Sequence, residues 1–560
     1  MALDLAVRGG TVVDGTGAPG RRGDVGVRDG RIVEVGEVDG PAETELDASG
    51  CVVAPGFIDP HTHLDAQLCW DGAATPTNLH GVTSVVIGLC GFGVAPCPPD
   101  GGDYLLRSLE RVEEIPFEST SAGVDFGWET WGEYLHHLAT LPLAVNVAGL
   151  VPHSALRWYV MGERARGEVA TEDDRAAMVA ELRRSLDGGA LGLASSRGPN
   201  HEDGFGDPVP SRFADDDEIA DLVGACRGRM WQINVETKFS GDPAGLISEI
   251  DRYAAWTDEA GARLSWTPLH ANPDDGVWQA VLADNRERNR AGSVVYPQVA
   301  SQAVTILLRF DERSLLGLVP GWREAFAGYR ELDDDGRLAH LADPPVREAM
   351  RAAPRTAEMF SPDYDQWVFL GSPSDPTLVG RTVEDAAAER GAHPADLLAD
   401  TAVADRLATQ VQIPAVNRDH DAIPALIADE HTLLGLGDSG AHVQSICGYS
   451  YPTHVLSVLV REQGTVGLEL AIERMTRRPA WFCGLGDRGT VRVGAAADLT
   501  VFDPERIALG EIRLTDDLPA GATRLHQPAV GYRAVVVGGT VVLADDAPTG
   551  AAAGRVIGAA

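Results

Sequence analysis

Eight short apolar runs punctuate the middle of this 560-residue chain, and amphipathic stretches lie between several of them. They are residues 52–59 (VVAPGFID), 83–90 (TSVVIGLC), 143–151 (LAVNVAGLV), 189–195 (GALGLAS), 230–237 (MWQINVET), 262–269 (ARLSWTPL), 292–299 (GSVVYPQV) and 432–438 (TLLGLGD). Runs of this length, bounded by turn residues, read as strands buried on both faces, the condition of parallel strands. The stretch TEDDRAAMVAELRRSLDGG (171–189) shows what separates them. Its acidic first turn and glycine stop predict an amphipathic helix. Eight such α/β units predict a (β/α)8 barrel of the TIM type. A doubly wound open sheet alternates in the same way. Eight strands, with polar residues crowded at their C-terminal ends, favour the barrel.

The interval 303–431 is too long for a plain connection. It contains helical pieces such as GWREAFAGYREL and TVEDAAAERG, and is expected to hold barrel helices plus a lid or insertion over the barrel mouth. The two chain ends have a different texture. LAVRGGTVVDG and DVGVRDGRIVEVG near the start, and GTVRVGAAADLTVFD and YRAVVVGGTVVLADD near the finish, alternate β-branched runs with glycine turns. That is a β-meander pattern. It predicts a small β-sandwich domain built from residues 1–55 plus 485–560, beside a barrel spanning 56–484.

Charge narrows the partners. A formal net charge of −37 argues against nucleic acid or an anionic membrane, both of which require basic surface. No apolar run reaches the ~18 residues of a membrane span, and the N-terminus has no basic start followed by an apolar core, so no signal peptide is expected. Seven scattered cysteines make no disulfide framework and fit a reducing cytoplasm. A homo-oligomer is compatible with all of this. Of 46 basic residues only Lys238 is lysine, the one side chain among them that can be deprotonated or covalently modified.

Reactive side chains collect at the predicted strand ends, where barrel chemistry gathers. The first strand runs into His61 and His63, two residues apart and therefore on one face of extended chain. Cys90 ends the second strand, His153 follows the third, and Ser196 and Arg197 follow the fourth. In the fifth, Gln232, Asn234, Glu236 and Lys238 alternate with apolar neighbours and share a face. The sixth leads to His270, and the eighth to Asp438 and His442. Taken singly, each has an ordinary reading as a hydrogen-bonded loop histidine, a small core cysteine or a turn aspartate. Together they offer the imidazole, thiolate and carboxylate donors that a divalent zinc ion accepts. The motif GDSGAH (437–442) echoes the nucleophile motif of chymotrypsin-like proteases, but those are all-β double barrels, and this region is α/β.

The stretches PGFIDPHTHLD, GVTSVVIGLCGFGVAP, VNVAGLVPHSALR, GALGLASS, LGLGDSGAH and MTRRPAWFCGLGDRGTVRVGAAADLTVFD occur in this order over nearly the whole chain. In them the chain resembles the amidohydrolase superfamily, and within it the D-aminoacylase (N-acyl-D-amino-acid deacylase) branch. The resemblance implies a metal-bearing barrel with a composite β domain. It implies that His61 and His63 are metal ligands, that Cys90 is a ligand too, and that Asp438 is both ligand and proton carrier. The family pattern places a histidine at the end of strand 5, where this chain has Asn234, and another at the end of strand 6, which falls near Trp266 or His270. One ion then remains, or Glu236 and His270 substitute as ligands of a second. A carbamylated Lys238 bridging two ions is a third option.

The expected activity is hydrolysis of an amide C–N bond by water activated on one or two Zn2+ ions, or another divalent metal. Asp438 would carry the proton, and His153 would help polarise the carbonyl. Arg197, Lys238, Asn234, Ser196 and His442 are the candidates for binding the substrate, a small amide and most simply an N-acyl D-amino acid. A cyclic-amide hydrolase and a non-catalytic metal-binding scaffold are the alternatives. Asp438 beside an H-x-H pair speaks against the scaffold.

Overall fold

The computed structural model describes residues 2–237, 241–273, 276–311, 314–356 and 359–558. All eight anticipated strands are present. They are β1 (Phe57–Asp59), β2 (Val82–Ile87), β3 (Asn146–Gly149, continued at Val151–Pro152), β4 (Gly192–Ser196), β5 (Met230–Asn234), β6 (Arg263–Thr267), β7 (Val295–Val299) and β8 (Leu433–Leu434). Each pairs in parallel with its neighbour: β1 with β2, β2 with β3, then β3 through its continuation with β4, and so on to β7 with β8. A parallel bridge between Thr62, just past β1, and Ser439, just past β8, joins the first strand to the last. This is the TIM-type α/β architecture.

Local sequence explains local structure. The helix at Glu172–Asp187 begins with a capping box, in which the Thr171 side chain accepts from Asp174 N and Asp174 returns a bond to the Thr171 backbone. Gly188 stops it, as the glycine-terminated pattern requires. The strands β2, β4, β5 and β7 are buried at every position, the condition of parallel strands covered on both faces. Burial on both faces, against helices outside and packed side chains inside, is what holds them.

Apart from two small antiparallel pairs, Ala508–Leu509 with Ala529–Val530 and Arg513–Thr515 with Arg524–His526, the strands of the two ends join one sheet. Among the described residues it has nine strands: Leu3–Val12, Arg21–Arg28, Arg31–Gly36, Ala42–Asp47 and Val52–Pro55 from the start, and Leu499–Phe502, Tyr532–Val537, Thr540–Ala544 and Ala547–Pro548 from the finish. The seam is the antiparallel pair Val52–Pro55 with Leu499–Phe502. Where a sandwich is expected from the meander texture, the hydrogen bonding is that of a single mixed sheet with its own core of Val25, Val53, Leu499 and Val536, among others. The last residues cross back to the barrel: Gly554 N donates to Leu143 O, and Ile557 N to Val147 O.

The insertion between β7 and β8 is a subdomain with a separate core around Phe310, Trp322, Trp367 and Leu398. Its three-stranded antiparallel sheet places Gln410–Val416 between Val304–Leu308 and Val368–Gly371. Helices Asp334–Ala342, Pro344–Ala352, Val383–Arg390 and Pro394–Ala404 belong to it. Among the described residues, no helix is long and apolar enough to cross a membrane.

Candidate metal centre

Past β1 the chain is pinned on both sides. Thr62 N donates to Val86 O beyond β2's midpoint, and His63 N to Ser439 O after β8. The backbone therefore stays extended for two more residues, and His61 and His63 point the same way, with ring centroids 5.3 Å apart. Cys90 reaches the same spot from the end of β2. It occupies a short turn, Leu89–Gly91, with φ of 53°, a left-handed conformation that costs a non-glycine residue about 1–3 kcal/mol and is tolerated where function requires it. Gly88 makes that turn possible, since a Cβ there would stand 2.0 Å from Leu150 O. Asp438 and His442 also have positive φ, 47° each, so three residues of the centre are held in the sparsely populated region.

The ligating atoms of His61, His63 and Cys90 lie within 4.8 Å of one another, and all three side chains are buried. Cys90 Sγ is 3.4 Å from His61 Nε2. Asp438 Oδ1 is 3.3 Å from His61 Nε2 and 3.8 Å from His63 Nε2. Two imidazoles and one thiol form a three-donor group suited to zinc with an open fourth position, and the Asp438 carboxylate stands beside its two histidines. The other ring nitrogens are engaged from behind. His61 Nδ1 is 2.6 Å from Gln298 Oε1, and Gln298 is fixed by donating to Ser265 Oγ. His63 Nδ1 is 3.1 Å from Glu113 Oε1, an ion-pair contact without hydrogen-bond geometry among the described residues. The Gln298 bond fixes the His61 tautomer that leaves Nε2 available to a metal. Burial disfavours charge on both rings and lowers the pKa of His61, and that of His63 still further, where neighbouring His61 and His442 add to the effect. Neutral imidazole is the form a metal binds.

A cavity of about 960 Å³, including its open mouth, lies over this cluster. Its polar wall includes His201, Asn234, His270, Glu114 and His442; its apolar wall includes Val304, Ile306, Met359, Ala415 and Val416 from the insertion. Enclosure opposes charge on His442, but the Glu114 carboxylate 3.7 Å away, with Glu113 and Asp438 nearby, pushes its pKa up to about 9. Burial works against ionisation of Glu114 as well, and His442 overcomes it, holding that carboxyl at about 2. Glu113, more deeply enclosed, is pushed up by burial to about 8. Among the described residues lining the cavity there is no arginine or lysine.

The structure brings together His61, His63, Cys90, Asp438, Asn234, His270 and His442. Other expectations need correction. His153 is fully buried at a helix N-terminus, with Nε2 2.8 Å from Glu218 Oε1 and Nδ1 3.1 Å from Ser195 Oγ; it is a packing residue and does not line the cavity. Glu236 fails as a ligand because β5 ends at Asn234, so the two-residue period lapses. Its side chain is 57% exposed, with its carboxylate 3.7 Å from Arg197. Arg197 itself turns to Asp216 and Glu236, away from the cavity lining. Ser196 is buried with its hydroxyl on His201 Nδ1 at 2.8 Å, so it holds a cavity residue and does not face substrate. His270 lines the cavity but is not part of the ligating group. Lys238 lies outside the described residues.

Four participants were missed. Gln298 had a signal, a polar residue near the end of an apolar strand. His201, five residues after β4, had a weaker one. Glu113 and Glu114 end the helix Gly102–Glu113, and nothing in SLERVEE distinguishes them from a solvated helix face.

Known proteins resemble this chain over nearly its whole length. D-aminoacylase of Alcaligenes xylosoxydans xylosoxydans is 29% identical over 99% of this chain and 97% of its own length. A solved D-aminoacylase structure described by its binuclear metal centre superposes with a TM-score of 0.67 at 27% identity, covering 99% of this chain and all of that one. N-acyl-D-glutamate deacylase from Bordetella bronchiseptica, solved with zinc and a phosphonate mimic of the tetrahedral intermediate, gives 0.67 at 26% identity with both chains fully covered. The model of the amidohydrolase family matches residues 44–543. That match takes in the whole barrel, the insertion and much of the composite sheet, and the chain belongs to the amidohydrolase family.

Proposed function

We propose that this protein is a metal-dependent hydrolase that deacylates N-acyl D-amino acids or closely related small amides. The observation that carries the reading is the group of His61, His63 and Cys90 beneath a cavity, with the Asp438 carboxylate beside the two histidines. The D-aminoacylase and N-acyl-D-glutamate deacylase likenesses support the substrate class. A divalent ion in this donor set supplies Lewis acidity, which polarises an amide carbonyl and makes water nucleophilic near neutral pH.

The chain's own residues do the rest. Asp438 is 25% exposed on the cavity side, so its carboxylate can accept a proton from the attacking water and deliver it to the leaving amine. His61 stays fixed by its hydrogen bond to Gln298, which keeps its ligating atom in place without reorganisation, and Glu113 places a carboxyl 3.1 Å behind His63. His442, one of the expected substrate-binding residues and cationic at neutral pH beside Glu114, is the partner we assign to the substrate carboxylate. The insertion acts as a lid whose apolar wall of Val304, Ile306, Met359 and Val416 receives the acyl chain or an apolar side chain and excludes water. Seven free cysteines fit a reducing cytoplasmic setting.

The test is a panel of N-acyl-D-amino acids, their L-enantiomers and cyclic amides such as hydantoins, assayed for product release with added zinc. Release of free D-amino acid is expected. Turnover of the cyclic amides alone, or no turnover of any substrate by zinc-loaded protein, would overturn the reading.

A further inference from the structure

The thiol of Cys90 is approached from two sides. His61 Nε2 stands 3.4 Å from Sγ on the side shared with His63 and Asp438. From β5 come two amides: Asn234 Nδ2 at 3.8 Å and Gln232 Nε2 at 4.0 Å. The Gln232 orientation is fixed independently, because its Oε1 accepts from Cys90 N at 2.8 Å while Nε2 also donates to Thr267 Oγ1 at 3.1 Å. The β5 side of the sulfur thus faces N–H donors, and an N–H group cannot ligate a cation. A second ion sharing this sulfur would need lone pairs where the chain presents hydrogens. Among the described residues, the group of His61, His63 and Cys90 is the one cluster of three or more histidine, cysteine or acidic side chains with metal-binding spacing.

Asn234 has a second face. It is 7% exposed, it lines the cavity, and its Oδ1 is buried without a hydrogen-bond partner among the described residues. A buried acceptor left in that state costs about 1–3 kcal/mol, so it is a position for a donor that arrives with a ligand. We infer that this centre holds a single metal ion, unlike the binuclear D-aminoacylase it superposes on, and that Asn234 instead contacts the substrate, its Nδ2 on the Cys90 sulfur and its Oδ1 accepting the N–H of the scissile amide. The inference rests on the metal-dependent reading proposed above.

The test is a spectroscopic titration of chelator-stripped full-length protein with Co2+, paired with elemental analysis of the zinc-loaded protein after dialysis. One equivalent per chain is expected in both. Two equivalents overturn the single-ion centre while leaving the hydrolase reading intact; none removes the hydrolase reading and the inference together. Asn234→Ala should keep the one-equivalent endpoint and raise KM about 10-fold, the loss of roughly one buried hydrogen bond. An unchanged KM with the endpoint intact overturns the substrate contact. A lost endpoint overturns it also, by showing that residue 234 serves the metal.

Discussion

His61 and His153 are both fully buried, and both follow the C-terminal end of a barrel strand. Their surroundings differ in one respect that decides what each can do. At His153 the hydrogen bonding is complete. Ser195 and Glu218 take its two nitrogens, Arg157 closes on the other carboxylate oxygen of Glu218, and Arg157 Nη2 donates to Glu168 O. All of these side chains are at most 1% exposed, apart from Glu168, which contributes its backbone carbonyl. At His61 the Nδ1 atom is bonded from behind by Gln298, and at His63 it faces the Glu113 carboxyl without a hydrogen bond among the described residues; both Nε2 atoms turn toward Asp438, and that of His61 toward Cys90 as well. A serine, a histidine and a glutamate in hydrogen-bonded series resemble a nucleophilic triad, yet buried and paired with one another they make a structural brace. Reactivity at a strand end requires a face left open, not merely a reactive side chain.

The contrast can be broken by substitution. Asp438→Asn should reduce turnover by about 10²- to 10⁴-fold, the range of a lost general acid–base group, with secondary structure retained in circular dichroism. His61→Ala should remove bound zinc as well, read by elemental analysis. In the sealed cluster the large effect should be on folding. Glu218→Ala strands the buried Arg157 guanidinium and should lower unfolding stability by about 3–5 kcal/mol, measured by denaturant titration, while the protein that folds binds zinc in the same ratio. Loss of zinc with unchanged stability would erase the distinction between the two clusters.

Two smaller effects sharpen it. Glu113→Ala removes the carboxylate behind His63 and should weaken metal affinity about 10- to 100-fold, measured by chelator competition, with Glu113→Gln intermediate. Ser195→Ala should cost about 1 kcal/mol of stability and leave kcat unchanged. A large fall in kcat would mean that the apparent triad does chemistry after all.

Most of the barrel was legible because buried parallel strands leave a strong signal, apolar runs of seven to nine residues with polar ends. The H-x-H pair and Cys90 were legible for the same reason: they sit directly on those ends. Legibility failed where the signal depended on the strand continuing. Glu236 follows the alternation of Gln232 and Asn234 in sequence, but β5 stops at Asn234 and the chain turns, so the face it was assigned no longer exists. Arg197 and His153 were placed correctly along the chain and wrongly in space, because neighbouring acids, Asp216 and Glu218, claim them.

The sequence by itself determined the strand and helix order, the pairing of the two chain ends into one β unit, and the first-strand histidines as ligand candidates. These follow from periodicity and local turn chemistry, which act over a few residues. Which buried histidine faces a cavity and which is sealed was decided by tertiary structure alone, as were the Glu113 and Gln298 supports and the amides that crowd the Cys90 sulfur. Each depends on groups tens to hundreds of residues apart meeting within about 3–4 Å, and no local pattern encodes a contact between elements that only packing brings together.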